Sequence, residues 1–243
     1  MRFNKYKSVK QKAGGRVFVI GDVHGCLDKL TLLLDKIAFD STKDQAVFTG
    51  DLIDRGPHSL ETLNFVLHKP YFHLVVGNHE HLFIEYVLGR QAIPRDMMDY
   101  WINKDGQWCN ELTTETLHKQ SCDIIEQSSV IIEVRTLCGS NIGLTHAGFP
   151  YDKWFKPTSS CEDDYFGRLI WSRVTAKTPA DQLKLVKGVN YTVHGHTPVK
   201  HVLLKGNAVF IDTGCVSGGK LSALELTSLV FDGHLSEKNV FSV

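Results

Sequence analysis

Short apolar runs alternate along the chain with stretches in which apolar residues recur at helical spacing. Arg16 to Ile20 reads RVFVI, a β-branched and aromatic run that stops at Gly-Asp, which predicts a buried strand delivering a loop to a sheet edge. The period then changes: Leu27, Leu30, Leu33, Leu34 and Ile37 mark an amphipathic helix before an apolar strand at Ala46 to Thr49. Leu60, Leu63, Phe65, Val66 and Leu67 predict a second helix, and FHLVV at Phe72 to Val76 a third strand. Strands alternating with helices in this way predict an α/β fold built on parallel pairs.

From Arg90 to Gln127 the strand signal fades, and Met97, Met98, Tyr100, Trp101 and Trp108 punctuate a polar, helical stretch. It reads as a small helical insertion beside the site that buries its own aromatics, a reading preferred to a substrate-binding role because aromatic clusters usually belong to a core. Strand-like alternation returns at Val130 to Val134 and Asn141 to Thr145. After a loop rich in Pro, Ser and acidic residues it continues at Tyr191 to Thr197, Val202 to Leu204, Ala208 to Ile211, Ser222 to Leu226 and Ser228 to Phe231. The second half is therefore β-rich. No tandem repeat or low-complexity linker divides the chain, so residues 1–243 are expected to form a single domain, with the insertion at about 90–127.

The apolar strands end on glycine followed by polar residues: GDVHG at Gly21 to Gly25, GDLIDRG at Gly50 to Gly56 and GNHE at Gly77 to Glu80. Ligand sites in open α/β sheets gather outside the carboxyl ends of strands, so these loops are expected to converge, together with His146 of HAG and His196 of GHTP. The polar residues at these ends, Asp22, His24, Asp51, Asn78, His146 and His196, all offer oxygen or nitrogen. Such a set suits Mn, Fe, Zn or similar ions, and the missing thiolates argue against an iron–sulfur or structural zinc site.

Six ligands exceed the need of one ion, so two divalent ions sharing a carboxylate, about 3.5–4 Å apart, are the economical arrangement. Asp51 is the natural bridge, with Asp22 and His24 on one ion and Asn78, His146 and His196 on the other. Two divalent ions against two carboxylates leave a net charge of about +2, which favours a dianionic phosphate monoester over a singly charged diester. His79, beside Asn78, is placed to protonate a leaving alkoxide, and Asp54 to orient its ring. Arg55 and Arg173 are candidates for a bidentate clamp on phosphoryl oxygens. GNHE also reads as a helix start, with Asn78 as its N-cap and Glu80 structural in the first turn.

Composition narrows the partners. Lys plus Arg equals Asp plus Glu at 27 each, so no global field draws the chain to nucleic acid or an anionic membrane, and affinity for phosphate must be local. Hydrophobic residues at 42% and charged residues at 22% fit a globular protein rather than a disordered one. The Lys-bearing first segment has no apolar stretch like a signal peptide's, and no run approaches a membrane span, so the expected compartment is the cytoplasm. Six scattered cysteines without a CxxC pair, Cys26, Cys109, Cys122, Cys138, Cys161 and Cys215, read as reduced thiols rather than a disulfide framework or zinc ribbon.

GDVHG, GDLIDRG, GNHE, HAG and GHTP, in this order between about Gly21 and Gly214, resemble the PPP family of metal-dependent serine/threonine phosphatases, part of the calcineurin-like metallophosphoesterases. The closest resemblance is to the small phage and bacterial branch, which also carries segments like Trp171-Ser172-Arg173 and Asp212-Thr213-Gly214. The resemblance implies a four-layer αββα sandwich of two mixed sheets flanked by helices, and a dimetal centre usually reconstituted with manganese. It also implies direct attack by metal-bound water on phosphoserine or phosphothreonine, and possible action on phosphotyrosine, in phosphoprotein or phosphopeptide substrates. Eukaryotic members usually show Arg where His194 stands, which leaves His194 without an assigned role. A symmetrical diadenosine tetraphosphate hydrolase would usually read GDLxARG and GNHD, where this chain has Asp54 and Glu80. A nuclease or cyclic-nucleotide phosphodiesterase would show GHxH, where this chain has Pro198. A metal-binding regulatory module without catalysis is the remaining alternative.

Overall fold

The computed structural model describes residues 3–157, 164–227 and 235–243. Its first half lays down β1 (Asn4–Lys10), β2 (Val17–Ile20), α1 (Leu27–Lys36), β3 (Gln45–Phe48), α2 (Ser59–Val66), β4 (Phe72–Val75) and α3 (Asn78–Val87). The insertion follows as α4 (Arg95–Lys104), a 3₁₀ turn at Gln107–Glu111 and α5 (Thr114–Gln127). The second half contributes β5 (Ser128–Arg135), β6 (Asn141–Leu144), α6 (Asp164–Trp171), α7 (Val174–Lys177), β7 (Tyr191–His194), β8 (Leu203–Lys205), β9 (Ala208–Phe210), β10 (Ser222–Glu225) and β11 (Val240–Ser242).

Hydrogen bonds join the described strands into one mixed path, β11-β10-β2-β3-β4-β5-β6-β7-β9-β8, with β1 alongside β5. The β2-β3-β4 and β6-β7-β9 neighbours are parallel, as the β-α-β pattern requires in the first half. β5 belongs to both halves. Its first residues, Ser128 and Ser129, pair with β4, and Ile132 to Arg135 pair with β6.

Strand periodicity sorts the side chains into layers. Val17, Val19, Val47 and Val75 of the first half meet Ile142, Leu144, Tyr191, Val193, Val209 and Ile211 of the second in one buried cluster, so the two halves of the sheet pack face to face. The alternate residues Phe18, Ile20, Ala46, Phe48 and Leu74 face outwards and bury Leu30 and Leu33 of α1 and Leu63 of α2. On the far side Val130 and Ile131 pack with Leu169 and Ile170 of α6. Helix, sheet, sheet, helix is the αββα layering expected, with the two sheets continuous through β5.

Differences from the expected elements are local. Ser228 to Phe231 lies outside the described residues, so the strand expected there is not described. β1 went unread because NKYKSVK is lysine-rich and buries one residue, Val9, as befits a sheet edge. Helix α3 has Gly77, not Asn78, as N-cap, and Asn78 is its first helical residue. The extended backbone of Gly77 and the reach of Glu80 back to the Gly77 amide, at 2.9 Å, move the cap one position upstream.

Candidate metal centre

Loops from both sheets meet at the carboxyl ends of their strands. β2 presents Asp22 and His24, β3 presents Asp51, Asp54 and Arg55, and α3 opens with Asn78 and His79. β6 and β7 present His146 and His196. Amides stitch these loops together: Val23 and His24 donate to the Asp51 carbonyl at 3.1 and 2.9 Å, and Gly195 donates to the His146 carbonyl at 2.8 Å. Two glycines make room. A Cβ on Gly195 would lie 1.9 Å from Asp22 Oδ1, and one on Gly77 would lie 2.2 Å from Asp51 Oδ1.

Asp51 stands at the middle. Its Oδ2 is 3.3 Å from His146 Nε2, 3.6 Å from His24 Nε2 and 4.0 Å from His79 Nε2. Two donor groups therefore share it, His24-Asp51-His79 and Asp51-His146-His196, each with ligand atoms within 4.8 Å of one another. Asn78 Oδ1 joins the second group, 3.0 Å from His146 Nε2 and 2.9 Å from His196 Nδ1. Asp22 is fixed by the Thr49 hydroxyl at 2.8 Å and the His196 amide at 2.7 Å.

Outer contacts set the tautomers. His24 Nδ1 lies 2.8 Å from the Ile53 carbonyl and His146 Nδ1 lies 2.8 Å from the Thr49 carbonyl, so each donates there and turns Nε2 towards Asp51. His196 is reversed: its Nε2 faces outwards, 3.2 Å from the Trp171 carbonyl and 3.3 Å from Arg173 Nε, and its Nδ1 faces the centre, 2.9 Å from Asn78 Oδ1. His79 fits one donor group geometrically, but its Nδ1 is 2.6 Å from Asp54 Oδ2. That contact is the His–Asp pair expected of a proton carrier.

Electrostatics agree with a cation site. Burial pushes His24 and His196 down to about 3, which keeps both imidazoles neutral and able to ligate. Burial raises Asp22 well above the usual carboxylate range, with Asp212 and Asp51 adding repulsion. Burial would also lower His146, but the charge of Asp51 and a hydrogen bond to it lift the ring to about 10. Buried acids crowded against the neutral rings of His24 and His196, with Asp51 holding a proton on His146, make added positive charge favourable here, and divalent cations fit that donor set.

All ten predicted residues come together here. Arg55 and Arg173 are exposed at the rim, Arg55 Nη1 3.0 Å from His24 Nε2 and Arg173 Nε 3.3 Å from His196 Nε2. A cavity of about 340 Å³ opens over the centre, lined by both arginines with Asn78, His79, Trp171 and His196 among its walls. Glu80 is structural as expected: wholly buried, it accepts from the amides of Asp51, Leu52 and Gly77 at 2.7–2.9 Å. His194 is also structural, buried at Thr145 and Thr192. Sequence reasoning gave no role to Asp212, buried beside Asp22, although its Asp-Thr-Gly follows a strand as the other motifs do. It also missed that Trp101 and Trp108 donate to Asp54, at 2.5 and 2.7 Å, for which their spacing carries no signal.

The fold and centre are those of a metallophosphoesterase, and the family profile "Calcineurin-like phosphoesterase" matches residues 15–211. The chain belongs to that family, whose members work with divalent metal ions. It is 30% identical to serine/threonine-protein phosphatase 1 of Salmonella typhimurium, over 89% of this chain and 94% of that protein. It is also 30% identical to an asymmetrical bis(5'-nucleosyl)-tetraphosphatase of Halalkalibacterium halodurans, over 88% and 91% of the two chains. Among solved structures, a protein serine/threonine phosphatase from Saccharomyces cerevisiae with similarity to human phosphatase PP5 superposes with a TM-score of 0.66 at 16% identity, covering 99% of this chain and 83% of that one.

Proposed function

We propose that residues 1–243 form one catalytic domain, a metal-dependent phosphoprotein phosphatase hydrolysing phosphoserine and phosphothreonine monoesters. The observation that carries this reading is the place of Asp51 Oδ2 between His24 and His146, 3.6 and 3.3 Å away. A carboxylate reached from both sides is what two ions sharing a ligand need. In this reading Asp22, His24 and Asp51 hold one ion, and Asp51, Asn78, His146 and His196 the other, with Mn²⁺ as the metal and Fe or Zn as substitutes. When bound, such ions supply a water acidified towards a pKa of about 7 and Lewis-acid polarisation of the phosphoryl group.

The protein's own residues do the rest. Arg55 and Arg173, both lining the cavity, orient the phosphoryl oxygens and neutralise the second charge of a monoester dianion. His79 donates a proton from Nε2 to the departing alkoxide, and Asp54 at Nδ1 holds the ring and its positive charge. The described cysteines are free thiols, Cys26 and Cys215 in hydrogen-bonding contact without a disulfide, which supports a reducing compartment, the cytoplasm.

Chelator-treated protein given Mn²⁺ is expected to dephosphorylate a phosphoserine peptide. Asp51→Asn and His79→Asn are each expected to lower kcat by roughly 10²–10⁴-fold. Activity retained in both variants would remove the assigned roles. The equal identity to a dinucleotide tetraphosphatase supports a second reading, with the asymmetrical enzyme now the relevant type rather than the symmetrical one. Measuring kcat/KM side by side on phosphopeptide, p-nitrophenyl phosphate and diadenosine tetraphosphate decides between them, and strong preference for the dinucleotide would promote the second.

A further inference from the structure

Asp54 is completely buried, yet its carboxylate meets three nitrogen donors: His79 Nδ1 at 2.6 Å and Trp101 Nε1 at 2.5 Å on Oδ2, and Trp108 Nε1 at 2.7 Å on Oδ1. Both indoles come from the insertion, Trp101 from α4 and Trp108 from the 3₁₀ turn after it. Each is anchored by packing. Trp101 sits edge-on to Tyr86 and over Gly106, where a Cβ would lie 2.7 Å from the indole, and Trp108 stacks on Phe83 with ring centroids 5.3 Å apart. Two large side chains could fill this space as ordinary core. Packing alone does not explain why both N–H groups converge on one carboxylate, one on each oxygen.

We infer that Trp101 and Trp108 are positioning residues for His79, acting through Asp54. An indole N–H can only donate, so it stabilises a buried carboxylate without competing for the proton on His79 Nδ1. With both oxygens held, the carboxylate plane is fixed, and the His79 ring is held with Nε2 towards Asp51, 4.0 Å away. The insertion is thereby part of the proton-transfer apparatus rather than an appendage with its own small core.

The inference rests on the phosphomonoesterase reading, and its test separates the two. Trp108 does not line the cavity, so Trp108→Phe removes one donor without touching the substrate wall. A positioning role predicts that kcat on phenyl phosphate, whose leaving group needs a proton, falls about tenfold or more with KM within about twofold. Turnover of 2,4-dinitrophenyl phosphate, whose leaving group needs none, should fall less than about threefold. In a His79→Asn background, adding Trp108→Phe should cause no further loss on phenyl phosphate. Equal losses on both esters, no loss on either, or the same loss persisting without His79 would overturn the inference. If Trp108→Phe does not fold, benzothienylalanine at position 108 keeps the bicyclic shape without the N–H and gives the same readout. Failure of the unsubstituted, Mn²⁺-supplemented protein to turn over either ester would instead remove the phosphomonoesterase reading itself.

Discussion

Among the described residues, seven non-glycine positions have positive φ, and His24, Asp51, Asp54, Arg55 and His196 are five of them. Left-handed backbone costs a non-glycine residue roughly 1 kcal/mol or more, so its concentration at the cleft is strain held by the surrounding packing. Arg55 offers a test, because its side chain is exposed and its φ is +68°. Arg55→Gly should raise stability by up to about 1 kcal/mol in urea titrations while raising KM for a phosphate monoester. Glu80 is the opposite case. It satisfies three amides, and a glutamine nitrogen placed there would face donors. Glu80→Gln should cost about 1–3 kcal/mol of stability and weaken metal affinity roughly 10–100-fold, measured by denaturation and metal titration. Unchanged metal affinity would show that the Asp51 loop holds its shape without that carboxylate.

The elements were legible where one face of each meets the core. The leucine spacing predicted a helix over Leu27 to Ile37, and α1 spans Leu27–Lys36. β2, β3 and β4 appear as buried apolar runs because both of their faces are covered. β1 and the three-residue β11 were not legible, since edge pairing is made by backbone groups that leave no trace in side-chain pattern. Helix α3 was half-hidden for another reason: eight of its ten residues are buried, so it lacks a polar stripe, and its first turn belongs to the site. The chemistry at the strand ends was readable because those residues follow directly on apolar runs. The Trp101 and Trp108 contacts depend on how the insertion folds back, which spacing does not encode.

One element-scale contact also predicts a pH dependence. Arg16 at the entry to β2 donates to Asp44 Oδ2 from Nε and Nη2, at 3.1 and 2.6 Å, and to the Ile37 and Ala38 carbonyls, tying the end of α1 to β3. Burial would raise the Asp44 pKa, but its hydrogen bonds with Arg16 outweigh that and hold it below the ordinary value. A depressed folded pKa stabilises fully above the unfolded value, about 4, and the stabilisation is lost as pH falls through the folded one. Arg16→Ala should therefore cost about 2–4 kcal/mol at pH 7, with the gap to the unsubstituted protein narrowing below about pH 4. A gap independent of pH would assign the effect to the carbonyl contacts instead.

At the scale of the molecule, the strands and helices are held by apolar clusters between the sheets and beneath α1, α2 and α6, one of which reaches the cleft through Val23, Leu52, Ile53, Leu82 and Trp101, so the fold should survive removal of metal. Chelated protein is expected to unfold cooperatively, and saturating Mn²⁺ to raise its Tm by about 5–10 °C, since a ligand at a hundred times its Kd adds about 2.7 kcal/mol. Calorimetry with and without Mn²⁺ measures this, and an unchanged Tm would mean that the native state has no preferential affinity for the ion. None of the helices among the described residues is long and apolar enough to cross a membrane.

Asp22 accepts a hydrogen bond from the amide of His196, 174 positions later. A polypeptide emerging from the ribosome exposes its early carboxylates well before the imidazoles of β6 and β7 exist to join them. Until then those carboxylates have only early partners, the Thr49 hydroxyl for Asp22 and the His79 amide for Asp51, and water on the side the later histidines will cover. Premature capture of cations by an incomplete product is thereby limited to weak, open coordination, and the finished enclosure forms only as the two sheets close on each other.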